Sequence, residues 1–284
     1  MAFVSVVIPT YNRPEKVARA VSSVLNQTYP DFEVIVVDDG SNDNTEEYLK
    51  IFYPKITFIR HKANLGVSAA RNTGISASKS PFIAFLDSDD YWLPKKLETQ
   101  VGFFNSCSSA LACQVEETWI RNGKRVNPRI RHIKKGGYIF EPSLKLCLIS
   151  PSSVMLKRCL FDEVGLFDEG LPVCEDYDLW LRITCLHPVH LIKEFLVVRE
   201  GGHPDQLSSS LKGMDRFRIE AIVKLLESGR LNKGQISAAL KELSVKCRIY
   251  GNGCIRRNRK QEGRSFLQLP EQLKRRIENQ ACFS

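Results

Sequence analysis

The stretch Phe82-Ile83-Ala84-Phe85-Leu86-Asp87-Ser88-Asp89-Asp90 passes from five apolar residues to three carboxylates within nine positions. A short unbroken apolar run suits a strand buried on both faces, as in a parallel sheet. Carboxylates crowded at the end of such a strand repel one another and are costly to desolvate. A cation would relieve that cost. Mg²⁺ and Mn²⁺ are hard ions that take carboxylate oxygens and commonly share them with substrate phosphates. Residues two apart on an extended segment point to one side, so Asp87 and Asp89 can face one ligand. The competing explanation is an acidic turn that caps the next helix.

The pattern recurs upstream. Val34 to Val37 is a second buried strand, stopped by Asp38-Asp39-Gly40-Ser41, where a carboxylate could receive a base N–H or a ribose hydroxyl, or simply shape the turn. Val4 to Ile8 and Ile56 to Ile59 read as further strands. Between them, Val17, Val21, Val24 and Leu25 recur at helical spacing, with Asn12 placed to cap and Pro14 in the first turn. Asp43 or Asn44 can cap a helix through Leu49, and residues 67–78 read as a helix of small residues. Strands alternating with helices predict an α/β fold with a doubly wound, mostly parallel sheet. Ligands then bind outside the carboxyl ends of the strands, where both aspartate clusters fall.

Residues 107–150 are less regular, with Gly136-Gly137 and scattered basic residues, and suggest an insertion or an acceptor-side region. Val154 to Leu156 reads as a strand. Glu175-Asp176 precedes a helix from Tyr177 to Leu186. The acids there either favour the helix N-terminus or include a general base. From 212 onward the pattern is helical, giving a division into 1–211, with halves at about 1–105 and 106–211, and a helical basic extension at 212–284. Tyr11 could stack on a base or pack in a loop. Arg71 could reach a base or phosphate, or pair with a nearby aspartate. His203 could bind metal or diphosphate, or be a loop histidine.

The formal net charge is +9, and residues 251–284 hold eight Lys/Arg against three Glu, so +5 of it lies there. Without interleaved stacking aromatics this does not suggest nucleic-acid binding. Arg256, Arg257, Arg259 and Lys260 beside amphipathic helices suggest peripheral contact with anionic lipid. Nine cysteines include no C-x-x-C pair, which argues against a zinc cluster and for reduced thiols in the cytoplasm. No apolar run approaches the length of a membrane span. There is no phosphate-binding G-x-x-x-x-G-K-[ST] loop and no G-x-S-x-G elbow, and Gly251-Asn252-Gly253 lacks the third glycine of a dinucleotide fingerprint.

Taken together, Val4 to Asn12, Val36 to Ser41, Asn64-Leu65-Gly66 through Ala70-Arg71-Asn72-Thr73-Gly74, Phe85 to Asp90, Gly165 to Glu169 and Glu175 to Arg182 resemble the family 2 glycosyltransferases of GT-A fold. The resemblance covers about residues 1–210, with 107–150 and 212–284 outside it. It implies inverting transfer from a nucleotide sugar, with a lean to UDP, onto a hydroxyl of a glycan or lipid-linked acceptor. It implies that Pro9, Tyr11 and Asp39 form the base pocket, Arg71 lies on the base side, and Asp87 and Asp89 form the D-x-D motif. Asp89 or Asp90, with His203, would hold a divalent Mn or Mg ion, and Asp176 would be the catalytic base. Gln206 and Ser208 follow His203 in a looser match. The location implied is the cytoplasm, with the inner face of the cytoplasmic membrane as a docking place. The alternative is a module that binds a nucleotide sugar without transferring it, although a pure binder needs no base.

Overall fold

The computed structural model describes residues 2–202 and 213–281. Its centre is a nine-stranded sheet in the order β3-β2-β1-β4-β8-β6-β9-β5, with β7 added at β6. The strands are β1 (Val4–Thr10), β2 (Phe32–Asp38), β3 (Thr57–Arg60), β4 (Phe82–Phe85), β5 (Tyr91–Trp92), β6 (Ala112–Arg121), β7 (Lys124–Val126), β8 (Val154–Lys157) and β9 (His190–Gly201). The helices are α1 (Pro14–Leu25), α2 (Thr45–Leu49), α3 (Val67–Ala77), α4 (Lys96–Ser106), α5 (Phe140–Lys145), α6 (Cys159–Val164), α7 (Glu175–Thr184), α8 (Asp215–Glu227), α9 (Lys233–Arg256) and α10 (Lys260–Ala281).

β3, β2, β1 and β4 are all parallel, as the buried apolar runs require. Every residue of β1 is buried because both faces are covered. Val6 and Ile8 pack with Val17, Val21 and Val24 of α1 on one face. Val7 packs with Ile83, Phe85 and Leu179 on the other. The sheet is not mostly parallel throughout. β8 runs antiparallel to β4 and β6, and β5 antiparallel to β9, so the second half is mixed. The region 107–150, read as irregular, contains the ten-residue strand β6. β6 pairs in parallel with β9 through register shifts at Val115/Glu116 and Glu116/Glu117. Those bulges break the two-residue period that would have marked the strand.

Two glycines are dictated by closeness. A Cβ on Gly74 in α3 would lie 2.3 Å from Val7 Cγ1, so α3 sits tight on β1. Gly40 has φ of +75° and a Cβ there would meet the Ala63 carbonyl carbon at 2.6 Å. The turn after β2 therefore needs glycine for both reasons. Asn12 does not cap α1. Its own φ is +50°, and its Oδ1 receives the Asn42 N–H at 3.0 Å, tying the loop after β1 to the loop after β2. Neither Asp43 nor Asn44 caps α2 in the usual way; Asp43 Oδ1 instead receives the Thr45 N–H at 3.0 Å.

The C-terminal helices share one core with α5 and α7, in which Leu144, Tyr177 and Leu181 pack with Ile222, Leu243, Cys247 and Leu273. α9 and α10 cross at Gly251 and Gly263, where a Cβ on either would lie within 2.8 Å of the other's carbonyl oxygen. Gly251 is thus a helix-packing residue.

Lys96 is fully buried at the start of α4, 3.7 Å over the Trp92 ring, with Nζ donating to Gln100 Oε1 at 2.6 Å. Burial, with Lys134 adding and Cys113 opposing, pushes its amine down to about 7 from 10.5. The unfolded chain therefore keeps a proton that the native state loses between those values, and stability should rise with pH across that window. Lys96→Met is expected to gain about 2–4 kcal/mol at neutral pH, because it removes the desolvation of a charge. Urea unfolding from neutral to alkaline pH checks this. The stability curves of the two proteins should converge as pH rises, and parallel curves would refute it.

Candidate functional site

The strand order reverses between β1 and β4, and a cleft of about 1090 Å³ opens at the carboxyl ends of these strands. Its walls include Pro9, Tyr11, Asp39, Arg71, Asp87, Asp89, Asp90 and Asp176. His203, with Gln206 and Ser208, lies outside the described residues.

The two aspartates after β2 separate by role. Asp38 is fully buried and its Oδ1 receives the Ser41 N–H at 3.0 Å, which shapes the turn. Asp39 faces the cleft. Its Oδ1 receives the Leu65 N–H at 2.9 Å and lies 2.8 Å from His61 Nδ1; its Oδ2 receives the Gly66 N–H at 2.8 Å. Two carboxylate oxygens offer about four acceptor positions, so one remains for a ligand N–H or O–H. His61 is held from behind by Thr73 Oγ1 at 2.9 Å. Tyr11, 41% exposed at the rim, is available for stacking.

Arg71, in the second turn of α3, is buried against the face of Phe167. Its Nη2 donates to Asp87 Oδ1 at 2.8 Å and its Nη1 to Glu175 Oε1 at 2.6 Å. It therefore ties the end of β4 to the start of α7 across the cleft. Burial opposes its charge, but Asp87 and Glu175 outweigh that and raise its pKa. Nε of Arg71 has no hydrogen-bond partner among the described residues. Asn72, beside it, donates to the Phe167 carbonyl at 2.9 Å and receives the Phe167 N–H at 3.0 Å, fixing the 165–174 segment against α3.

The three acids after β4 also diverge. Asp87 is anchored by its backbone N–H, which donates to Ser152 Oγ at 3.1 Å, and its carboxylate is partly exposed to the cleft. Asp89 pairs with Arg13 at 3.1 Å. Asp90, expected with Asp89 to hold a metal, is turned inward. Its Oδ2 receives the Ser152 hydroxyl at 2.6 Å and its Oδ1 the Glu200 N–H at 3.2 Å, and Arg199 lies 3.8 Å away. Burial, against the pull of Arg199 and with the push of Asp89 and Asp87, raises its carboxyl well above the usual range. Asp90 thus serves as an internal strut, bound to Arg199 and Ser152.

Among the described residues no three His, Cys, Asp or Glu side chains converge as a metal cluster. Mg²⁺ needs only one or two carboxylates when substrate phosphates and water complete its shell. Asp87 and Asp89 fit that requirement by donor chemistry.

At the start of α7, Cys174 has φ of +63° and the next two residues present carboxylates. Glu175 is 8% exposed, and burial and Asp176, against Arg71, push its carboxyl up to about 7. Asp176 is half-buried. Its Oδ1 receives the Tyr177 N–H at 2.6 Å, and the Cys147 thiol donates to its Oδ2 at 3.4 Å. The sequence reading missed His61, Asn72, Ser152 and Arg199. The first two lie in or beside quoted motifs, and the last two are revealed only by tertiary contacts, Ser152 with Asp87 and Asp90 and Arg199 with Asp90 and Glu117.

The site is thus a switch-point cleft of an α/β protein, lined by a buried carboxylate after β2, two acids after β4 and an acid at the mouth of α7. Residues 5–165 match the family model described as Glycosyl transferase family 2, and the chain belongs to that family. The match runs straight through 107–150. A glycosyltransferase of Rickettsia felis is 32% identical over 221 residues, which are 73% of this chain and 35% of that protein. The chain thus spans about a third of that relative's length. The Escherichia coli protein WfgD, named a UDP-Glc:α-D-GlcNAc-diphosphoundecaprenol β-1,3-glucosyltransferase, is 34% identical over 184 residues, 63% of this chain and 69% of that protein. In fold the chain is similar to Staphylococcus aureus TarS 1–349 in complex with UDP-GlcNAc, with TM-score 0.69 and 17% identity over 96% of this chain and 92% of TarS 1–349.

Proposed function

We propose that this protein transfers a glycosyl group, with inversion, from a nucleoside-diphosphate sugar to a hydroxyl of a lipid-diphosphate-linked acceptor. The donor is a UDP-sugar and the workplace is the inner face of the cytoplasmic membrane. The observation that carries the reading is the convergence of Asp39, Asp87, Asp89 and Asp176 on one cleft. WfgD, named for a UDP-sugar and a diphosphoundecaprenol acceptor, supports the choice of substrates.

In this mechanism Tyr11 stacks on the base and Asp39 accepts its N–H. Asp176 takes the proton from the acceptor hydroxyl. The acceptor oxygen bonds to the anomeric carbon as the bond from that carbon to the diphosphate breaks, and the nucleoside diphosphate leaves. Arg71 keeps Asp87 and Glu175 fixed while this happens. Asp87 and Asp89 would hold a divalent cation, which when bound neutralises charge on the diphosphate. Holding donor and acceptor in line contributes much of the rate gain.

The test is a thermal-shift panel of nucleoside diphosphates and nucleotide sugars, with and without Mn²⁺ or Mg²⁺. A shift with uridine nucleotides that requires metal and disappears in Asp89→Ala is expected. No shift with any nucleotide would overturn the reading. Binding without turnover on any acceptor would favour the alternative of a nucleotide-sugar-binding module.

A further inference from the structure

From Thr118 to Phe140 the chain carries seven Lys/Arg and no acidic residue. This segment is the end of β6, the hairpin to β7, and the turn that follows. Arg121, Lys124, Arg125, Arg129, Arg131 and Lys135 are exposed, and none makes an ion pair among the described residues. Lys134 alone turns inward, to Glu117, Gln114 and Ser153. Among the exposed cations stand large apolar side chains: Ile130 is 88% exposed, Tyr138 82% and Ile133 49%. Soluble surfaces seldom group aliphatic and aromatic side chains with unpaired cations in this way. Interfacial membrane segments do, because the apolar groups enter the headgroup boundary while Lys and Arg meet lipid phosphates.

Register places this surface at the cleft. Trp119 pairs with Arg199 and Ile120 with Glu200, and Arg199 and Glu200 line the cleft wall. His132, from the turn, packs edge-on to Trp119 at 5.7 Å, and the Arg199 guanidinium lies over the same ring at 5.5 Å. The turn is thus braced against β6 at Trp119, the ring that also carries Asp90's partner Arg199. Partial burial, with Arg131, Arg129 and Arg199 nearby, pulls the His132 pKa down, consistent with a positive local field.

We infer that the β6–β7 hairpin and its following turn dock on an anionic lipid bilayer and hold the cleft mouth against the membrane that carries the acceptor. The inference rests on the lipid-linked acceptor proposed above. A free polyanion would satisfy the cations but give Ile130, Ile133 and Tyr138 nothing to enter, so the bilayer is the occupant that the surface fits. In the C-terminal helices, where the sequence suggested lipid contact, Arg256, Arg257 and Lys260 are also exposed without an ion pair among the described residues, but the remaining cations are interleaved with acids. Arg259 pairs with Glu262, Arg275 with Glu271, Lys274 with Glu278 and Arg276 with Glu227.

The test is flotation of the full chain with phosphatidylcholine vesicles, with and without phosphatidylglycerol, in the absence of nucleotide. Wild type should bind only the anionic vesicles. Lys124→Gln/Arg125→Gln/Arg129→Gln/Arg131→Gln should lose on the order of 100-fold or more in partitioning, since each cation near such a surface contributes about fivefold. Ile130→Ser/Ile133→Ser should weaken binding with every charge intact. Arg256→Gln/Arg257→Gln/Lys260→Gln should bind as wild type does. All these sites are exposed, and unchanged urea midpoints would exclude misfolding. Equal binding by the hairpin variant, or loss only in the tail variant, would overturn the inference. So would a serine variant that binds normally while soluble polyphosphate competes, which would point to a free polyanion. Because no nucleotide is present, failure here is separate from failure of the nucleotide thermal shift.

Discussion

An Asp176→Asn variant is expected to lose about 10³-fold in kcat while binding its donor nucleotide as tightly as wild type does. A positioned general base typically contributes 10²–10⁴-fold, and the amide is nearly the same shape as the carboxylate but cannot take a proton at working pH. The local structure should survive, because the amide oxygen can still receive the Tyr177 N–H that Asp176 Oδ1 receives now. The donor contacts proposed for Tyr11 and Asp39 involve neither atom. Single-turnover rates with a matched acceptor, beside calorimetric donor binding, would separate the two effects. Near-normal turnover would remove Asp176 from the base role and turn attention to Glu175. That residue is a poorer candidate, since its Oε1 is engaged by Arg71 at 2.6 Å and it is 8% exposed. Glu175→Gln is therefore the control, and a larger loss from it than from Asp176→Asn would reverse the assignment.

The half of the fold built from β1 to β4 was legible because β1, β2 and β4 are apolar runs buried along most of their length, although the edge strand β3 is only half-buried. Each connecting helix between them is short, and the aspartates mark where the strands stop. The other half was not. β6 contains Gln114, Glu116 and Glu117, and Gln114 and Glu117 are buried. Polar residues at core positions read as loop unless their partners are known. Here the partners come from far along the chain: Lys134 for Gln114, and Lys134, Arg199 and the Ser150 hydroxyl for Glu117. Burial works against the charge of Glu117, yet Lys134 and Arg199 more than offset it and hold that carboxyl below its usual range. No periodicity within β6 carries that information.

The site shows the same division. Motif spacing identified the acids, but not which way each one turns. Asp38 and Asp39 are adjacent and alike in sequence, and the choice between them is made by Ser41 on one side and by the Leu65 and Gly66 amides on the other. Asp89 and Asp90 are likewise equivalent on paper. Ser152, Arg199 and the Glu200 amide draw Asp90 into the protein and leave Asp89 at the cleft with Arg13. Arg71 had two open readings, a contact with base or phosphate and an ion pair, and the geometry shows two ion pairs.

That double pairing sets up the second large effect. Arg71→Met is expected to destabilise the protein by about 3–5 kcal/mol at mildly alkaline pH, the usual cost of removing one partner from a buried charge cluster. Methionine keeps much of the packing over Phe167, so the loss should be electrostatic rather than steric. Its sign with pH follows from Glu175. In the native protein that carboxyl rises from 4.5 to about 7. Over that window the native state holds a proton that the unfolded chain has released, so stability falls as pH climbs and levels off above about 7. The shift corresponds to about 3 kcal/mol at 1.36 kcal/mol per pH unit. The guanidinium is what keeps the rise this small. Without it the carboxyl climbs further, and the stability of Arg71→Met should keep falling above neutrality, where wild type is flat in this group. Asp87, partly exposed, can rehydrate and should contribute less. Urea unfolding on either side of neutral pH reads the slope directly. The double variant Arg71→Met/Glu175→Gln should recover most of the loss and abolish the extra slope, because it removes the stranded acid along with its partner. A pH-independent loss with no rescue would mean that Arg71 acts through packing on Phe167 and that the bridge from β4 to α7 is not what holds the cleft together.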